Sequence, residues 1–415
     1  MTESTASSAF PEIKVPAGLT FAGLVLGFVI GFALQGTPAM EPLLKYGGFA
    51  GTLWMRLLTL TILPLVVGLV FTGISQTLSA ANGGRLARRA VGLFCLVLLA
   101  SGIIACLIVP ALLTAFPIPE RAAAALRGGA EKVGQVPEAT EVILAMVPEN
   151  IFASASAGAM LPIVLFVAAF AVATARIGAA PRKQLALVFE GLAAAMMVVV
   201  GWVLRLAPIG VFGLALPLAA NSGSDAISAL AHYIVIVSVA GLAVMLGGIV
   251  LSLTLGGQKP VTFFRAMSPV YAVAFSTQSS LASLPAMLAA TRRMGVREAT
   301  ADFVLPLAVA IFRATSPAMN MGVAIYAAYL TGTPLSPLLL AAGVFVAFLV
   351  SLSSVSLPGT LSFVISVGPI ANAMGVPIGP LALLVAVEML PDIMRTLGNV
   401  TMDVAAATVV NRKDD

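Results

Sequence analysis

The hydrophobic pattern changes character near residue 260. Before it, long uninterrupted apolar runs lie at 17–35, 52–75, 89–115, 151–175, 190–219 and 226–256. Each approaches or exceeds the roughly 20 residues a helix needs to cross a bilayer, so six spanning helices are predicted, the longer ones tilted. Beyond residue 260 the apolar segments carry serine, proline and glycine at their centres, where a lipid-facing helix would carry leucine or valine. This half reads as a hairpin over 261–293, a span over 299–331, a second hairpin over 335–372 and a last span over 377–408. Broken backbone at membrane depth is tolerated only inside protein or along a cavity. The predicted fold class is therefore all-α integral membrane, with eight transmembrane helices plus two re-entrant helical hairpins.

The basic residues support this layout. With a cytoplasmic N-terminus, fourteen Lys and Arg residues fall on the inside, among them Arg85, Arg88, Arg89, Arg292, Arg293 and Arg297, against Lys45, Arg121, Arg127 and Lys132 outside. Such a bias orients membrane helices, and it requires both hairpins to return to the side they entered from. Both termini are then cytoplasmic, in a multi-pass protein of the cell (inner) membrane. Segment 116–150, with Pro117, Pro119, Gly128, Gly129 and charges of both signs, reads as a solvated outside loop.

Composition agrees and adds exclusions. The chain is 60% hydrophobic and 9% charged, against about 25% charged in soluble domains, which excludes a cytosolic enzyme and the disordered and collagen-like classes. The net charge of +5 sits in short loops and sets orientation, so it does not signal nucleic acid. Cys95 and Cys106 share one apolar run and read as packed thiols, not a disulfide framework. Met1 to Phe10 lack the basic start and apolar core of a signal peptide, so the first helix is expected to act as the insertion signal.

Two segments carry candidate chemistry. The first hairpin has Ser276-Thr277-Gln278-Ser279-Ser280-Leu281-Ala282-Ser283-Leu284-Pro285 at its tip, and the second has Ser353-Ser354-Val355-Ser356-Leu357-Pro358-Gly359-Thr360. Paired broken segments in corresponding positions point to a transporter's midplane site, where half-helix termini and free backbone groups bind ions and substrate. The alternative is that these hydroxyls only bond back to their own helix carbonyls. In the last span, at about 100° per residue, Glu388, Asp392, Arg395, Asn399 and Asp403 share an arc of about 80°. An ionisable group at bilayer depth costs at least about 2.5–3.5 kcal/mol, so four on one stripe predict a cavity-facing polar face. The competing reading is an ion network that merely locks helices together. Arg395 can fork onto a carboxylate and Asp392 suits an ammonium, which together describe a ligand with an amine and an extra acid.

Over nearly its whole length the sequence resembles the dicarboxylate/amino acid:cation symporter family, the glutamate and aspartate transporters. The likeness is carried by Arg56-Leu57-Leu58 with Ile62-Leu63-Pro64, by Ala207-Pro208-Ile209-Gly210-Val211-Phe212, by the two serine-rich tips, and most specifically by Asp392 through Asp403. The resemblance implies an elevator fold with inverted repeats and a homotrimer. It makes 1–88 scaffold helices, 89–115 a transport-domain helix, 116–150 an extracellular loop, 151–256 two scaffold or trimerisation helices and one transport-domain helix, and 257–415 the transport core. It implies that Arg395 takes the substrate's side-chain carboxylate and Asp392 its amino group. Thr396 and Asn399 hold the amino-acid moiety, and Gln278, Ser279 and Ser280 of the first tip lie on it, with Ser280 at the α-carboxylate. Ser356, Leu357, Pro358 and Gly359 form the gate. No cofactor is implied; the coupling ion is sodium or a proton.

The sequence departs from the family at the ion sites. Where the family reads Asn-Met-Asp-Gly-Thr in the seventh span, ungapped alignment places Phe312-Arg313-Ala314-Thr315-Ser316. Ser316 keeps a substrate-contacting hydroxyl. Moving Asn320-Met321 onto the motif needs an insertion inside a membrane helix and still brings no aspartate. On the third span only Ser101 remains of a polar set. A residual sodium site is left at Asn399 and Asp403. The resulting expectation is that Arg313 is a tethered cation, with Glu388 and Asp403 around it, that makes sodium unnecessary there; the plainer one is that it salt-bridges Glu388 or Asp403. Of the remaining singular residues, His232 reads as packing, Glu190 and Arg205 as end anchors or bundle partners, Asp302 as a helix cap, and Gly322 and Gly359 as hinges. A dicarboxylate carrier, an anion leak at domain interfaces, and a membrane-embedded hydrolase using a serine with Asp392 or Asp403 compete with the acidic amino-acid reading. The hydrolase lacks a Ser-His pair and a Gly-x-Ser-x-Gly elbow.

Overall fold

Leu, Val, Ala and Phe fill the first apolar run, and α1 spans Ala17–Ala33. The computed structural model describes residues 17–34, 37–38, 40–81, 84–118, 144, 147–157, 159–222, 224–353 and 359–412, and among these there is no strand. The helices that follow are α2 (Met40–Ala81), α3 (Arg85–Ala115), α4 (Ile151–Ser156), α5 (Met160–Thr174), α6 (Ala179–Arg205), α7 (Ala207–Ser222) and α8 (Ser224–Thr254). Then come α9 (Pro260–Thr277), α10 (Leu284–Arg293), α11 (Glu298–Ile311), α12 (Ser316–Thr331), α13 (Pro337–Ser353), α14 (Gly359–Ala373), α15 (Leu381–Leu384) and α16 (Met389–Arg412), with a 3-10 turn at Val385–Val387 before the last. Among the described residues five stretches are long and apolar enough to cross a membrane: α2, α3, α6, Ile227–Thr254 in α8, and Glu298–Thr331 across α11 and α12.

Several expected spans are cut differently. The run at 52–75 belongs to a helix of 42 residues, about 63 Å long at 1.5 Å per residue and so longer than the hydrocarbon core is thick. The run at 151–175 divides into α4 and α5. The run at 190–219 divides at Leu206 into α6 and α7, because Pro208 has no N–H to give and fits a helix's first turn. Asp302 caps nothing: Arg297 is the N-cap of α11, and Asp302 lies exposed a turn further on. The α12 helix runs unbroken through Gly322. Most of the 116–150 loop, the N-terminal sixteen residues and the second-tip residues 354–358 lie outside the described residues.

Packing gathers the helices into two groups. In the first, α1 lies along α7, and α2 packs on α5, α6 and α7. Three glycines one helical turn apart make the α1–α7 contact: a Cβ on Gly23 would stand 2.3 Å from the Pro208 carbonyl oxygen, on Gly27 2.8 Å from Ala215 Cβ, and on Gly31 2.6 Å from Ala219 Cβ. Trp54 on α2 closes over Gly210 and donates its indole N–H to the Val203 carbonyl at 3.0 Å. In the second group, α3 and α8 flank α12, and α16 packs on α8, α9 and α11.

Burial shows what faces what. On α3, Phe94, Leu98, Ser101, Ala105 and Val109 turn inward while Leu96, Ile103 and Leu107 are exposed on the other side, so both faces are apolar, as in a helix between protein and lipid. From Ser316 to Ala328, and from Asn399 to Val410, every residue is buried, which places α12 and the C-terminal half of α16 at the centre of the second group. Cys95 and Cys106 are unpaired, part-buried thiols on α3. Where the groups meet, Met55, Leu58 and Ile62 of α2 face Phe363, Ile378 and Val385 across an apolar crevice.

Candidate functional site

The site is organised by a break in the seventh span that the hydrophobic pattern does not reveal. After Ile311 the chain leaves the helix for Phe312 to Thr315, and it restarts at Ser316. Pro317 sits in the first turn of α12, where its missing N–H costs nothing. A continuous helix would drive its ring into the carbonyl of Arg313 four residues back. The freed backbone groups are taken up by neighbours, as membrane depth demands. Ser101 of α3 donates its Oγ to the Ala314 carbonyl at 2.6 Å and accepts from the Ala318 N–H at 3.2 Å. Asn399 Oδ1 of α16 accepts from the Thr315 N–H at 3.0 Å and from its hydroxyl at 2.8 Å. Phe312 stacks on Phe94, ring centroids 4.2 Å apart.

Arg395 is the hub of the charges. Its Nη2 donates to Glu388 Oε1 at 2.6 Å, its Nε faces Asp392 Oδ1 at 3.2 Å, and its Nη1 donates to Asn320 Oδ1 at 3.0 Å. Tyr233 of α8 donates to the other Glu388 oxygen at 3.0 Å. Arg395 and Glu388 are 2% and 0% exposed, so each charge depends on its partners. Glu388 is not on the α16 stripe proper: it occupies the turn between the 3-10 segment and α16, yet its side chain reaches Arg395. Thr396 turns back on its own helix and donates to the Asp392 carbonyl.

Asp403 contrasts with this. Among the described residues neither of its buried carboxylate oxygens has a hydrogen-bond partner, and the same holds for Ser316 Oγ and Asn320 Nδ2. Arg313, itself buried, lies within Coulombic range of Asp403 and Asp392. Unsatisfied buried polar atoms are rare in folded proteins, and here they are the valences that a bound polar ligand or ion would fill.

The first tip is a turn between α9 and α10. Gln278 ends α9 with φ 49°, the one positive-φ non-glycine among the described residues, and such left-handed backbone is a recurrent mark of ligand clamps. Gln278, Ser279 and Ser280 are half-buried. The hydroxyls nearby bond locally: Ser279 Oγ accepts from the Ala282 N–H, and Ser283 donates to the Ser279 carbonyl. The hairpin packs against α16, but no hydrogen bond among those described joins Gln278, Ser279 or Ser280 to Arg395, Asp392 or Asn399. Of the second-tip residues, Ser356, Leu357 and Pro358 lie outside the described residues and Gly359 opens α14.

The structure thus brings together Arg395, Asp392, Glu388, Asn399, Ser316, Arg313 and Asp403. It adds Tyr233, which the sequence did not single out, and gives definite roles to Asn320, Thr315 and Ser101. Asn320 could have been found as the one amide in an otherwise apolar helix. His232 spans from the Phe116 carbonyl at 2.9 Å to the Tyr326 hydroxyl at 3.2 Å, beside Tyr233. Chemically, the constellation offers a guanidinium for a carboxylate, a second carboxylate for an ammonium, and unfilled donors and acceptors between them.

Residues 18–413 match the sodium:dicarboxylate symporter family. The chain is 27% identical over 398 residues to the proton/sodium-glutamate symport protein of Bacillus subtilis, covering 94% of this chain and 91% of that protein. It is 31% identical over 270 residues to the proton/glutamate-aspartate symporter of Escherichia coli, covering 65% and 61%. To the L-cystine uptake protein TcyP of Bacillus licheniformis it is 28% identical over 417 residues, covering 94% and 88%.

Proposed function

Because the chain belongs to the sodium:dicarboxylate symporter family, we propose that it is a secondary active transporter that carries L-aspartate or L-glutamate by an elevator movement, without sodium. The family and the relatives above are transporters, so the chain is a multi-pass membrane carrier and not an enzyme. The observation that carries the substrate reading is Arg395: a guanidinium buried at the bundle centre beside the Asp392 carboxylate. A cation at that depth can recognise an anionic ligand, and the adjacent carboxylate suits the α-ammonium. A non-amino dicarboxylate would leave Asp392 facing a like charge.

The transport layout rests on the two packing groups. The first group and its glycine seam form the trimeric scaffold; the second, built of α3, α8, α11, α12 and α16 with the two re-entrant hairpins, is the moving body, and the apolar crevice beside α2 is the surface it slides along. The termini are cytoplasmic. Sodium independence rests on Arg313. Two guanidinium groups stand against the carboxylates of Glu388, Asp392 and Asp403, and an acidic amino acid brings a further negative charge. Arg313 supplies one of the positive charges this load requires, and a co-transported proton reduces the remaining negative excess. Asn399, whose amide oxygen is already committed to Thr315, is poorly placed to serve sodium as well.

Uptake of radiolabelled L-aspartate into proteoliposomes, in choline against sodium buffer and with an imposed pH gradient, tests this. Equal uptake in both buffers, accelerated by inward proton flow, is expected; a strict and steep sodium dependence sinks the sodium-free proposal. A second reading, a zwitterionic substrate such as cystine, is favoured by one observation: Glu388 already neutralises Arg395. Excess cystine that abolishes aspartate uptake, and is itself accumulated faster, would select it.

A further inference from the structure

The fork that would receive a substrate's side-chain carboxylate is already engaged. Two nitrogens of the Arg395 guanidinium donate to resident groups, Nη2 to Glu388 and Nη1 to Asn320, and Nε lies 3.2 Å from Asp392 Oδ1 in an ion pair without a hydrogen bond. These three partners are not equivalent. Asp392 is one turn away on the same helix, its place fixed by the backbone, and Asn320 is uncharged. Glu388 alone is both charged and bonded to the guanidinium terminus, at the shortest of the three distances. It also stands outside α16, on the turn where the 3-10 segment gives way to the helix. Its second oxygen has an alternative partner in Tyr233, so the side chain has somewhere to remain if Arg395 lets it go.

We propose that Glu388 is the specificity-determining residue of the amino-acid site: a resident carboxylate that holds Arg395 until the side-chain carboxylate of an acidic amino acid displaces it. The proposal rests on the acidic amino-acid reading above. A tethered carboxylate competes at the high effective concentration of an intramolecular partner, so it weakens every ligand that needs Arg395. A neutral amino acid makes no claim on the guanidinium, and with Glu388 in place it leaves no buried charge unpaired. Glu388 therefore lowers the preference for acidic over neutral ligands by taxing the acidic ones alone.

The test is the affinity of the purified, full-length protein for L-aspartate and for L-serine, by calorimetry, in wild type, Glu388→Gln, Glu388→Asp and Arg395→Ala. Gln removes the charge and keeps one acceptor oxygen, so it can still accept from Arg395 or from Tyr233 but presents a donor amide to the other. Aspartate binding in Glu388→Gln is expected to tighten about tenfold, the weight of one charge-assisted hydrogen bond, while serine stays within about twofold. Glu388→Asp, which draws the carboxylate back by one methylene and keeps its charge, is expected to tighten aspartate by a smaller factor, and it decides the matter if Glu388→Gln does not fold. Unchanged or weaker aspartate binding, or an equal shift for both ligands, overturns the proposal and makes Glu388 a structural partner only. Aspartate binding that survives in Arg395→Ala overturns the acidic amino-acid reading itself; its loss there, with no gain in Glu388→Gln, overturns this proposal alone.

Discussion

Glycine lets two pairs of helices approach closely, α1 with α7 and α8 with α16, but what each approach brings together differs. At the first seam, Gly23, Gly27 and Gly31 admit a carbonyl and two alanine methyls. In lipid there is no hydrophobic gain from pressing two apolar helices together, so such a seam lives on dispersion contact and close fit. At the second, Gly248 admits the Met402 backbone, and Gly398 leaves room for Thr315, whose Cγ2 would stand 2.4 Å from a Cβ placed there. That room is what lets Thr315 reach the Arg395 carbonyl at 3.1 Å and Asn399 at 2.8 Å. The first seam is specified by shape. The second is specified by shape and by hydrogen-bonding valence, because the chain it encloses has lost its helical bonds and carries charge.

Mutations should separate the two, and the largest effect falls on the second seam. Arg395→Ala removes the cation that faces the substrate's carboxylate; losing one partner of a buried charge pair across a binding site costs about 2–5 kcal/mol, so binding of L-aspartate should fall by about two orders of magnitude in a titration of purified protein. Next comes Gly213→Val in the first group, where a Cβ would lie 2.2 Å from the Gly47 carbonyl oxygen. Backbone cannot yield as a side chain can, and overpacking of about 1–3 kcal/mol should appear as a lower melting temperature and less folded protein, with aspartate affinity unchanged in what remains. Gly398→Ala crowds a stiff β-branched side chain, so a smaller loss, of the order of 1 kcal/mol, should appear in aspartate affinity before it appears in melting temperature. The smallest is Thr315→Val, which keeps the shape and removes the one hydroxyl proton shared between Asn399 Oδ1 and the Arg395 carbonyl; about 1 kcal/mol is expected, read as a few-fold weaker affinity. If Gly398→Ala lowered stability and left binding untouched, the distinction between the seams would fail.

Much of the polar site was legible because charge is so costly in an apolar chain. Asp392, Arg395, Asn399 and Asp403 stand out by helical spacing alone, and the structure buries all four. Arg313 and Ser316 were visible by register. Asn320 was not: the alignment that would have brought it forward requires an insertion, and only the break at Phe312 to Thr315 turns it toward Arg395. Glu388 was legible as a charge on the stripe, but its part as the partner of Arg395 Nη2 and Tyr233 was not, since helical spacing places it a turn and three residues from Arg395 and says nothing of α8. Tyr233, next to the chain's single histidine, carried no signal of its own.

Composition and pattern by themselves determined that the chain lives in lipid, that its helices are apolar on all sides except one stripe, and that this stripe pairs a guanidinium with carboxylates. Those conclusions follow from transfer free energies, which are local and additive along a sequence. Which carboxylate holds the guanidinium, which carboxylate goes without a hydrogen bond, and where a continuous apolar run breaks were decided only in three dimensions. Hydrogen-bonding valence is settled between neighbours in space, and Ser101, Thr315, Asn320 and Tyr233 come from three helices other than the one that bears Arg395, or from the break between them.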